Sequence, residues 1–184
     1  GVAADEVIDP RPLAEILRQW TTFHPEFAFL PRKFKIAISG TKDDRAVTWF
    51  HDIGLQLQEQ NGETGFRVIV GGGLGRTPIR GQVVREFLPW QHILTYCEAI
   101  LRVYNRQGRR DNAYKARIKI LVQALGVEAF AQLVEDEWAH GKDGPATITQ
   151  AEFDRVAAHF TAPAYETLSA SDAGLSEKLA LEKS

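Results

Sequence analysis

The dipeptide Asn61-Gly62 lies between two stretches of alternating apolar and polar residues, residues 54–60 and 65–70. An Asn-Gly pair suits the positive backbone angles of a type I′ turn, the tight connection of an antiparallel hairpin. The alternation on either side has the period of an extended strand. The sequence therefore predicts an antiparallel hairpin, and any fold of this chain has to contain a sheet.

Three cations, Arg32, Lys33 and Lys35, lie at the start of another predicted strand, residues 34–39. Successive side chains of a strand point to opposite faces, so Lys33 and Lys35 share one face. Two like charges this close are unfavourable unless an anion lies between them. We therefore interpret the two lysines as anion ligands. One alternative stays open, because lysines on the solvated face of an edge strand also block aggregation.

Apolar residues recur at helical spacing in residues 13–23 and through most of the chain after Pro89. The first pattern predicts a helix that Asp9 caps and that ends near residues 24–25. The later patterns predict four helices, whose ends are marked by glycines or by a capping pair. These helices are expected to end at Gly108, to end at Gly126, to cover residues 127–138, and to run from the capping residue Thr149 through Phe160.

Two shorter segments complete the predicted architecture. Residues 44–52 are predicted as a short helical segment capped by Asp44, and residues 83–89 fit either a helix or a strand by their period. The whole pattern predicts an α+β (α/β-like) domain, with a mixed sheet flanked by helices and a helical C-terminal part. We expect one domain at residues 1–160 and a linker or tail at residues 161–184.

The composition excludes several classes of protein. The net charge of the 184 residues is −2, which argues against a generic binder of nucleic acids or membrane surfaces. No apolar run is long enough to cross a bilayer, and a cytoplasmic setting is expected. Cys97 is the single cysteine, so this chain alone forms no disulfide and no cysteine-based metal site. Because the sequence contains no Met, we expect it to be a fragment of a longer polypeptide.

Residues 71–78 (GGGLGRTP) follow the second strand of the hairpin. Glycines in such a position let the backbone approach a ligand closely, and their free amides can bind anions. The segment matches no phosphate loop, because Arg76 stands where that signature needs lysine, and it does not match the dinucleotide fingerprint. A tight turn is the alternative interpretation.

Residues 102–119 carry seven cations against the single acid Asp111. Within this strip, residues 108–117 precede a predicted helix, whose N-terminus favours negative charge. This junction is a candidate site for carboxylates or phosphates. Part of the strip can equally be the solvated faces of two helices.

Three motifs resemble, in sequence and in order, the siroheme-dependent sulfite and nitrite reductases, and most closely the bacterial sulfite reductase hemoproteins. The motifs are LPRKFK (residues 30–35), FRVIVGGGLGRTP (residues 66–78) and ILRVYNRQGRRDNAYKARIKILVQALG (residues 100–126). The resemblance covers most of residues 10–138. It implies the family's siroheme and 4Fe-4S domain, with a mixed five-stranded-type sheet in which residues 83–89 are a strand.

The resemblance also implies residue roles. Lys33 and Lys35 would be catalytic, binding the oxyanion substrate on the distal face of siroheme, where cations with protons stabilise charge and supply an acid. The implied reaction is reduction of sulfite, or of nitrite, with electrons from ferredoxin or a flavoprotein. Further residues would bind the cofactor's carboxylates: Arg32, Gly72, Gly73, Arg76, Arg109, Arg110, Asn112, Lys115 and Arg117.

One position bears on the substrate. At the position of residues 32–35, plant-type nitrite reductases have a sequence similar to RKWN, whereas this chain has RKFK and therefore keeps Lys35. A substrate that can carry two negative charges gains more from a second cation, so sulfite is the preferred prediction.

The chain departs from the family in lacking its cluster-binding cysteines, for which Cys97 alone is no replacement. We therefore expect the cluster to be bound by the rest of the parent chain, and this fragment to be inactive alone. Two alternatives stay open: an anion-binding or nucleic-acid-binding module that uses residues 102–119, and a structural, pseudo-symmetric half without a cofactor. The preferred interpretation includes neither a nucleic acid nor a membrane partner.

Overall fold

Four strands form one mixed sheet in the order β1-β2-β3-β4. The computed structural model describes residues 3, 5–161, 164, 171 and 173–182. β1 is parallel to β2, and the other neighbouring pairs are antiparallel. The α+β class with a mixed sheet is thereby confirmed. The strands are β1 (Ile36–Ser39), β2 (Ile53–Gln60), β3 (Glu63–Val70) and β4 (Gln82–Pro89).

The number of strands differs from the five-stranded expectation. In the described part of the chain, β1 and β4 are the two edges of a four-stranded sheet. The segment after β3 pairs with itself only through an isolated bridge between Gly73 and Ile79, so it adds no strand. The prediction for residues 83–89 is resolved in favour of a strand, as the resemblance implied, because they pair with β3.

The hairpin prediction is confirmed in detail. Asn61 and Gly62 have φ angles of 53° and 79°, the left-handed values that a type I′ turn needs. The pairing begins directly beside the turn, where Gln60 lies opposite Glu63. The hairpin has therefore the two-residue loop that the sequence predicted.

Six α-helices lie in the described residues. Two of the predicted caps accept backbone hydrogen bonds: Thr149 Oγ1 from the Glu152 N–H at 3.2 Å, and Asp9 Oδ1 from the Arg11 N–H at 3.0 Å. Asp9 lies one position before the N-cap residue, Pro10, so the helix begins one residue later than predicted. The helices are α1 (Arg11–Thr22), α2 (Ile93–Gln107), α3 (Ile118–Leu125), α4 (Val127–Trp138), α5 (Gln150–Ala157) and α6 (Ala173–Leu181).

Helices α1 to α4 pack on one face of the sheet, and a short segment packs on the other. On the helix face, alternate residues of β2, Ile53, Leu55 and Leu57, enter a core shared with α1, α2, α3 and α4. On the opposite face, a 3₁₀ helix (Thr48–Phe50) lies directly on Gly54. A Cβ there would lie 2.2 Å from the Thr48 carbonyl oxygen, so position 54 admits only glycine.

The segment predicted at residues 44–52 is this 3₁₀ helix rather than a longer helix. Asp44 Oδ1 accepts a hydrogen bond of 2.9 Å from the N–H of Thr48, the first residue of this helix, but the N-cap residue is Val47 rather than the predicted Asp44. Val47 has a φ of 54°, whereas residues of an α-helix have negative φ angles. A helix that starts at residue 44 therefore cannot continue through residue 47. Two residues separate the end of the 3₁₀ helix from the start of β2 at Ile53.

The predicted tail is partly described. α6 lies within residues 161–184, and its side chains at residues 174–181 are exposed. Residues 162, 163, 165–170, 172, 183 and 184 of the tail lie outside the described residues. The division at residue 160 stays a prediction. No helix in the described ranges has the length and apolar character needed to span a membrane.

Candidate anion-binding site

Lys33 and Lys35 lie immediately before β1, and both side chains are exposed. The ring centroid of Phe34, between them, lies 5.9 Å from that of Tyr104 in α2. Lys33 and Phe34 line one cavity whose wall does not include Lys35, and residues 33–35 precede the strand, so the shared face of the two lysines stays a prediction. Within the described part of the chain, neither ammonium group has a hydrogen-bond or ion-pair partner. Two free charges of like sign thus remain together at the start of the strand.

Asp52, the residue before β2, is fully buried next to the lysine segment. Its Oδ2 accepts a hydrogen bond of 3.0 Å from the backbone N–H of Lys35. Its Oδ1 accepts from Nε and Nη2 of Arg117, at 2.9 and 2.7 Å. Burial raises the pKa of Asp52, and the Arg117 guanidinium opposes that rise. One carboxylate thus joins the lysine motif (residues 30–35) to the basic junction (residues 108–117).

The glycine-rich stretch reaches the same place through its backbone. The Gly71 N–H donates to the backbone carbonyl of Asp52 at 3.0 Å. A Cβ on Gly72 would lie 2.3 Å from the Trp49 carbonyl oxygen, so this close approach of two backbones requires glycine. The three motifs of the sequence therefore converge around Asp52 and Arg117.

The rest of the glycine-rich stretch is a closed loop. Gly73 and Ile79 exchange two backbone hydrogen bonds of 2.9 Å each. The ammonium group of Lys119, a buried side chain, donates to the Thr77 carbonyl at 2.7 Å and holds the loop. The tight-turn interpretation is correct for this backbone. Arg76, at the tip, is exposed and has no partner among the described residues.

Two arginines hold the basic junction against the segment that precedes the lysines. Arg32 donates to the backbone carbonyl of Ala113. Arg110 donates to the backbone carbonyl of Phe29 at 2.8 Å. These contacts bring residues 108–117 next to residues 29–32, which lie far away in the sequence.

The other predicted residues of the junction behave differently from one another. Arg109 Nε donates to Asp111 Oδ1 at 2.9 Å, and this exposed pair lies on the surface. Asn112 caps a short 3₁₀ helix by accepting a 2.9 Å hydrogen bond from the Tyr114 N–H. Lys115 is exposed, and its positive charge adds to that of Arg109 in lowering the pKa of Asp111.

The structure thus divides the predicted charged residues into two groups. One group already binds protein atoms, and its role in holding the three motifs together is visible in the contacts above. The other group has exposed charges that form no hydrogen bond or ion pair in the part of the chain that the structure describes. The first group is Arg32, Arg109, Arg110 and Arg117; the second is Lys33, Lys35, Arg76 and Lys115.

The cations of α2 are neutralised by acids from several elements. Arg102 forms ion pairs with Glu26 at 2.9 Å and with Glu98 at 2.6 Å. Arg106 pairs with Glu137 of α4 at 2.6 Å. Residues 102–119 therefore do not form a broad basic surface, which argues against the nucleic-acid alternative.

A cavity of about 830 Å³ opens between α1 and β1. Its wall includes Arg32 and Lys33 from the lysine motif and the apolar side chains of Leu17, Phe34 and Ile36. This volume is within the range of pockets that bind organic ligands. The cavity therefore extends the candidate site along the open edge of β1.

Sequence reasoning missed Asp52, although it is the residue on which the motifs converge. A single acid between His51 and β2 has the appearance of an ordinary turn residue. Its partners lie 17 and 65 residues away in the sequence, at Lys35 and Arg117. No local pattern could have indicated both of them.

Comparison with known proteins gives consistent results. Residues 1–142 match the family model described as "Nitrite and sulphite reductase 4Fe-4S domain". The chain is 34% identical over 149 residues to Sulfite reductase (ferredoxin) 1 of Mycolicibacterium paratuberculosis, covering 79% of this chain and 26% of that protein. It is 31% identical over 147 residues to the chloroplastic Ferredoxin--nitrite reductase of Arabidopsis thaliana, covering 77% of this chain and 25% of that protein.

The fold also has a solved counterpart. The structure of the Mycobacterium tuberculosis NirA protein matches with a TM-score of 0.69 and 32% sequence identity. The match covers 78% of this chain and 26% of that chain. The chain thus spans about a quarter of the length of the relatives that it matches.

Proposed function

This chain belongs to the nitrite and sulphite reductase 4Fe-4S domain family, a family of oxidoreductases, and we propose that it is the siroheme-contacting domain of a sulfite reductase. In this proposal Lys33 and Lys35 bind the oxyanion substrate. Residues 1–160 form the domain, residues 161–184 lead out of it, and the protein works in the cytoplasm. The isolated chain is inactive, because the rest of the parent chain supplies the cluster.

The observation that carries the proposal is the pair of unpartnered ammonium groups. The structure provides acids for Arg102 and Arg106, yet none in its described part for Lys33 and Lys35. Maintaining two adjacent like charges without a counter-charge is unfavourable, unless an anion from outside the chain neutralises them. A sulfite ion between the two lysines would do so.

The lysines would act on sulfite in two ways. Their positive charges lower the energy of the negative charge that the anion brings to an electron-rich centre. Their ammonium groups also carry protons, and each oxygen that leaves the substrate has to leave as water. Two neighbouring lysines can donate to two oxygens of one anion, so they bind the substrate and orient it at the same time.

The free cations and the glycine stretch fit a cofactor with several carboxylates, as siroheme is. Arg76 presents a charge without a hydrogen-bond or ion-pair partner in the described residues, and Lys115 is exposed near Asp111. Gly73 is buried, and an added Cβ there would lie 3.2 Å from Lys119 Cδ and 3.5 Å from Arg117 Nη2. Arg32 borders the cavity at β1. These residues would hold siroheme, with Gly72, Arg109, Arg110 and Asn112 in support. When bound, siroheme would pass to the substrate the electrons that the external donor delivers.

The residues of this chain do not fit the family's other cofactor, the 4Fe-4S cluster. In the described ranges, no group of three or more His, Cys, Asp and Glu residues is placed to bind a metal. Cys97 is 1% exposed, and burial raises the pKa of its thiol to about 12, so it stays protonated and inert. The cluster ligands would lie in the rest of the parent chain.

Ferredoxin is the electron donor we propose, because the relatives are named as ferredoxin-dependent sulfite and nitrite reductases. Sulfite is the proposed substrate rather than nitrite, because Lys35 adds a second cation next to Lys33. A flavoprotein donor and nitrite remain the alternatives.

The proposal is tested by the visible absorption spectrum and the iron content of the complete parent protein, purified from cells that make siroheme. We expect a chlorin-type spectrum that changes when sulfite is added, and more iron than siroheme alone supplies. A colourless, iron-free protein would contradict the proposal and would favour an anion-binding module without a cofactor.

A further inference from the structure

We infer that Asp52 is a positioning residue for the lysine pair, because its carboxylate fixes the backbone of Lys35 and the side chain of Arg117 relative to each other. The inference rests on the proposed function of Lys33 and Lys35. It adds to that function a residue that does not touch the substrate and acts through those that do.

The backbone of Lys35 is held from two sides. Its carbonyl accepts a hydrogen bond of 3.1 Å from the Ile53 N–H, which begins the contact between β1 and β2. Its N–H lies one residue before the strand pairing, which starts with Ile36 opposite Ile53, and so has no partner in the ladder. The Asp52 carboxylate takes the place of that partner at 3.0 Å. These two bonds fix the direction in which the Lys35 side chain leaves the backbone.

The same carboxylate neutralises a third cation. Arg117 donates three hydrogen bonds to Asp52, at 2.7 to 2.9 Å, and its side chain is only 16% exposed. Without Asp52, this guanidinium would be unpaired next to Gly73 and free to turn. Asp52 therefore also holds Arg117 in one orientation at the junction of the three motifs.

Asp52→Asn is the informative substitution. Asparagine has nearly the same size and keeps one oxygen, but its amide group is a donor and faces the donors of Arg117. The positions of Lys35 and Arg117 are then no longer fixed together. The side chain that acts on the anion is unchanged, so any loss of anion affinity reports on positioning.

The test is a sulfite titration of the complete parent reductase, followed by the sulfite-dependent shift of its visible absorption spectrum. We expect Asp52→Asn to weaken the sulfite affinity of the folded reductase by about tenfold, comparable to the loss of one charge-assisted hydrogen bond. Glu135→Gln is the matched control. Glu135 also accepts two hydrogen bonds from one arginine, Arg85, at 2.7 and 2.6 Å, but it lies in α4, outside the three motifs.

Both variants are measured well below their unfolding temperatures. A residue that only supports the fold would leave the affinity of the folded reductase unchanged, as we expect for Glu135→Gln. If Asp52→Asn does not fold, Asp52→Glu replaces it. This variant keeps the charge, displaces the carboxylate by one methylene, and is expected to show the same loss.

A double-variant cycle tests whether Asp52 acts through Lys35. In a Lys35→Ala background, Asp52→Asn should weaken sulfite binding by less than about twofold, because the positioned side chain is already absent. An equal loss in both backgrounds, or wild-type affinity of Asp52→Asn, would overturn the inference while leaving the proposed function intact. Absence of any sulfite-dependent shift in the wild-type reductase would overturn both.

Discussion

The lysine motif and helix α2 both carry closely spaced cations, but they differ in whether acidic residues of the chain pair with those cations. Arg102 and Arg106 of α2 are paired with three acids. Glu98 lies on the same helix, Glu26 precedes β1, and Glu137 belongs to α4. Lys33 and Lys35 are exposed and have no such acid in the described residues. The helix cations stabilise contacts between elements, whereas the charges of the lysines remain available to a ligand.

The difference teaches how a structural cation can be told from a functional one. The charge pattern along the sequence does not distinguish them, because both segments are basic: residues 102–119 carry seven cations and one acid, and residues 30–35 carry three cations and no acid. The distinction lies in whether the fold brings a counter-charge to the cation. It follows that substitution of the two kinds of cation should affect different measurements.

The largest effect is expected from the double variant Lys33→Ala/Lys35→Ala in the complete reductase. Its turnover with sulfite should fall by at least about a hundredfold, because the charges and protons that act on the substrate are removed. Its unfolding midpoint should move by no more than about 1–2 °C, since no protein contact is lost. Unchanged turnover would instead favour the structural half without a cofactor.

Lys35→Asn sharpens the functional side of the comparison. It should lower kcat/KM for sulfite relative to nitrite by about tenfold, because the second cation favours the anion of higher charge. Lys142→Asn, at an exposed lysine in the turn after α4, is the matched control and should leave the ratio unchanged. An unchanged ratio in Lys35→Asn would contradict the preference for sulfite.

Arg102→Ala tests the structural side. The variant should lose about 1–2 kcal/mol of unfolding free energy, because Glu26 and Glu98 lose a partly buried partner. Its kcat/KM, measured where the protein is fully folded, should equal that of the wild type. Urea unfolding and steady-state kinetics check the two parts, and a selective loss of turnover would contradict the assignment.

The smallest effect concerns acid pH. The hydrogen bond from Arg102 lowers the pKa of Glu26 in the folded chain. The resulting stability is present above the unfolded pKa of about 4.3 and is lost as the pH falls through the lowered value. Arg102→Gln removes the charge that lowers the pKa of Glu26, so this variant should lose less unfolding free energy on acidification than the wild type. Urea unfolding at a series of pH values between about 5 and 2.5 measures it, and identical slopes in both proteins would contradict the pairing.

The predictable parts of the fold follow from local rules. Asn61-Gly62 determines the hairpin turn by itself, and the alternation along β2 determines that Ile53, Leu55 and Leu57 enter the core together. The unpredictable parts depend on partners that are distant in the sequence. Asp52 acquires its role only where the fold brings Lys35 and Arg117 to it.

The same reason explains why the sequence shows residues 102–119 as a basic strip. Between residues 102 and 119 the sequence shows one acid, because most of the neutralising acids lie outside that window. Glu98 is one turn earlier on α2, Glu26 precedes β1, and Glu137 comes from α4. The balance of charge is therefore a property of the tertiary structure.

The most direct test of the central claim is a sulfite titration of the complete parent reductase, followed by its visible absorption spectrum, with substitutions in each of the two cationic segments. We predict that Lys33→Ala/Lys35→Ala weakens sulfite binding by at least about tenfold and that Arg102→Ala/Arg106→Ala leaves it unchanged. Wild-type sulfite affinity in Lys33→Ala/Lys35→Ala, or an equal loss in Arg102→Ala/Arg106→Ala, would contradict the account.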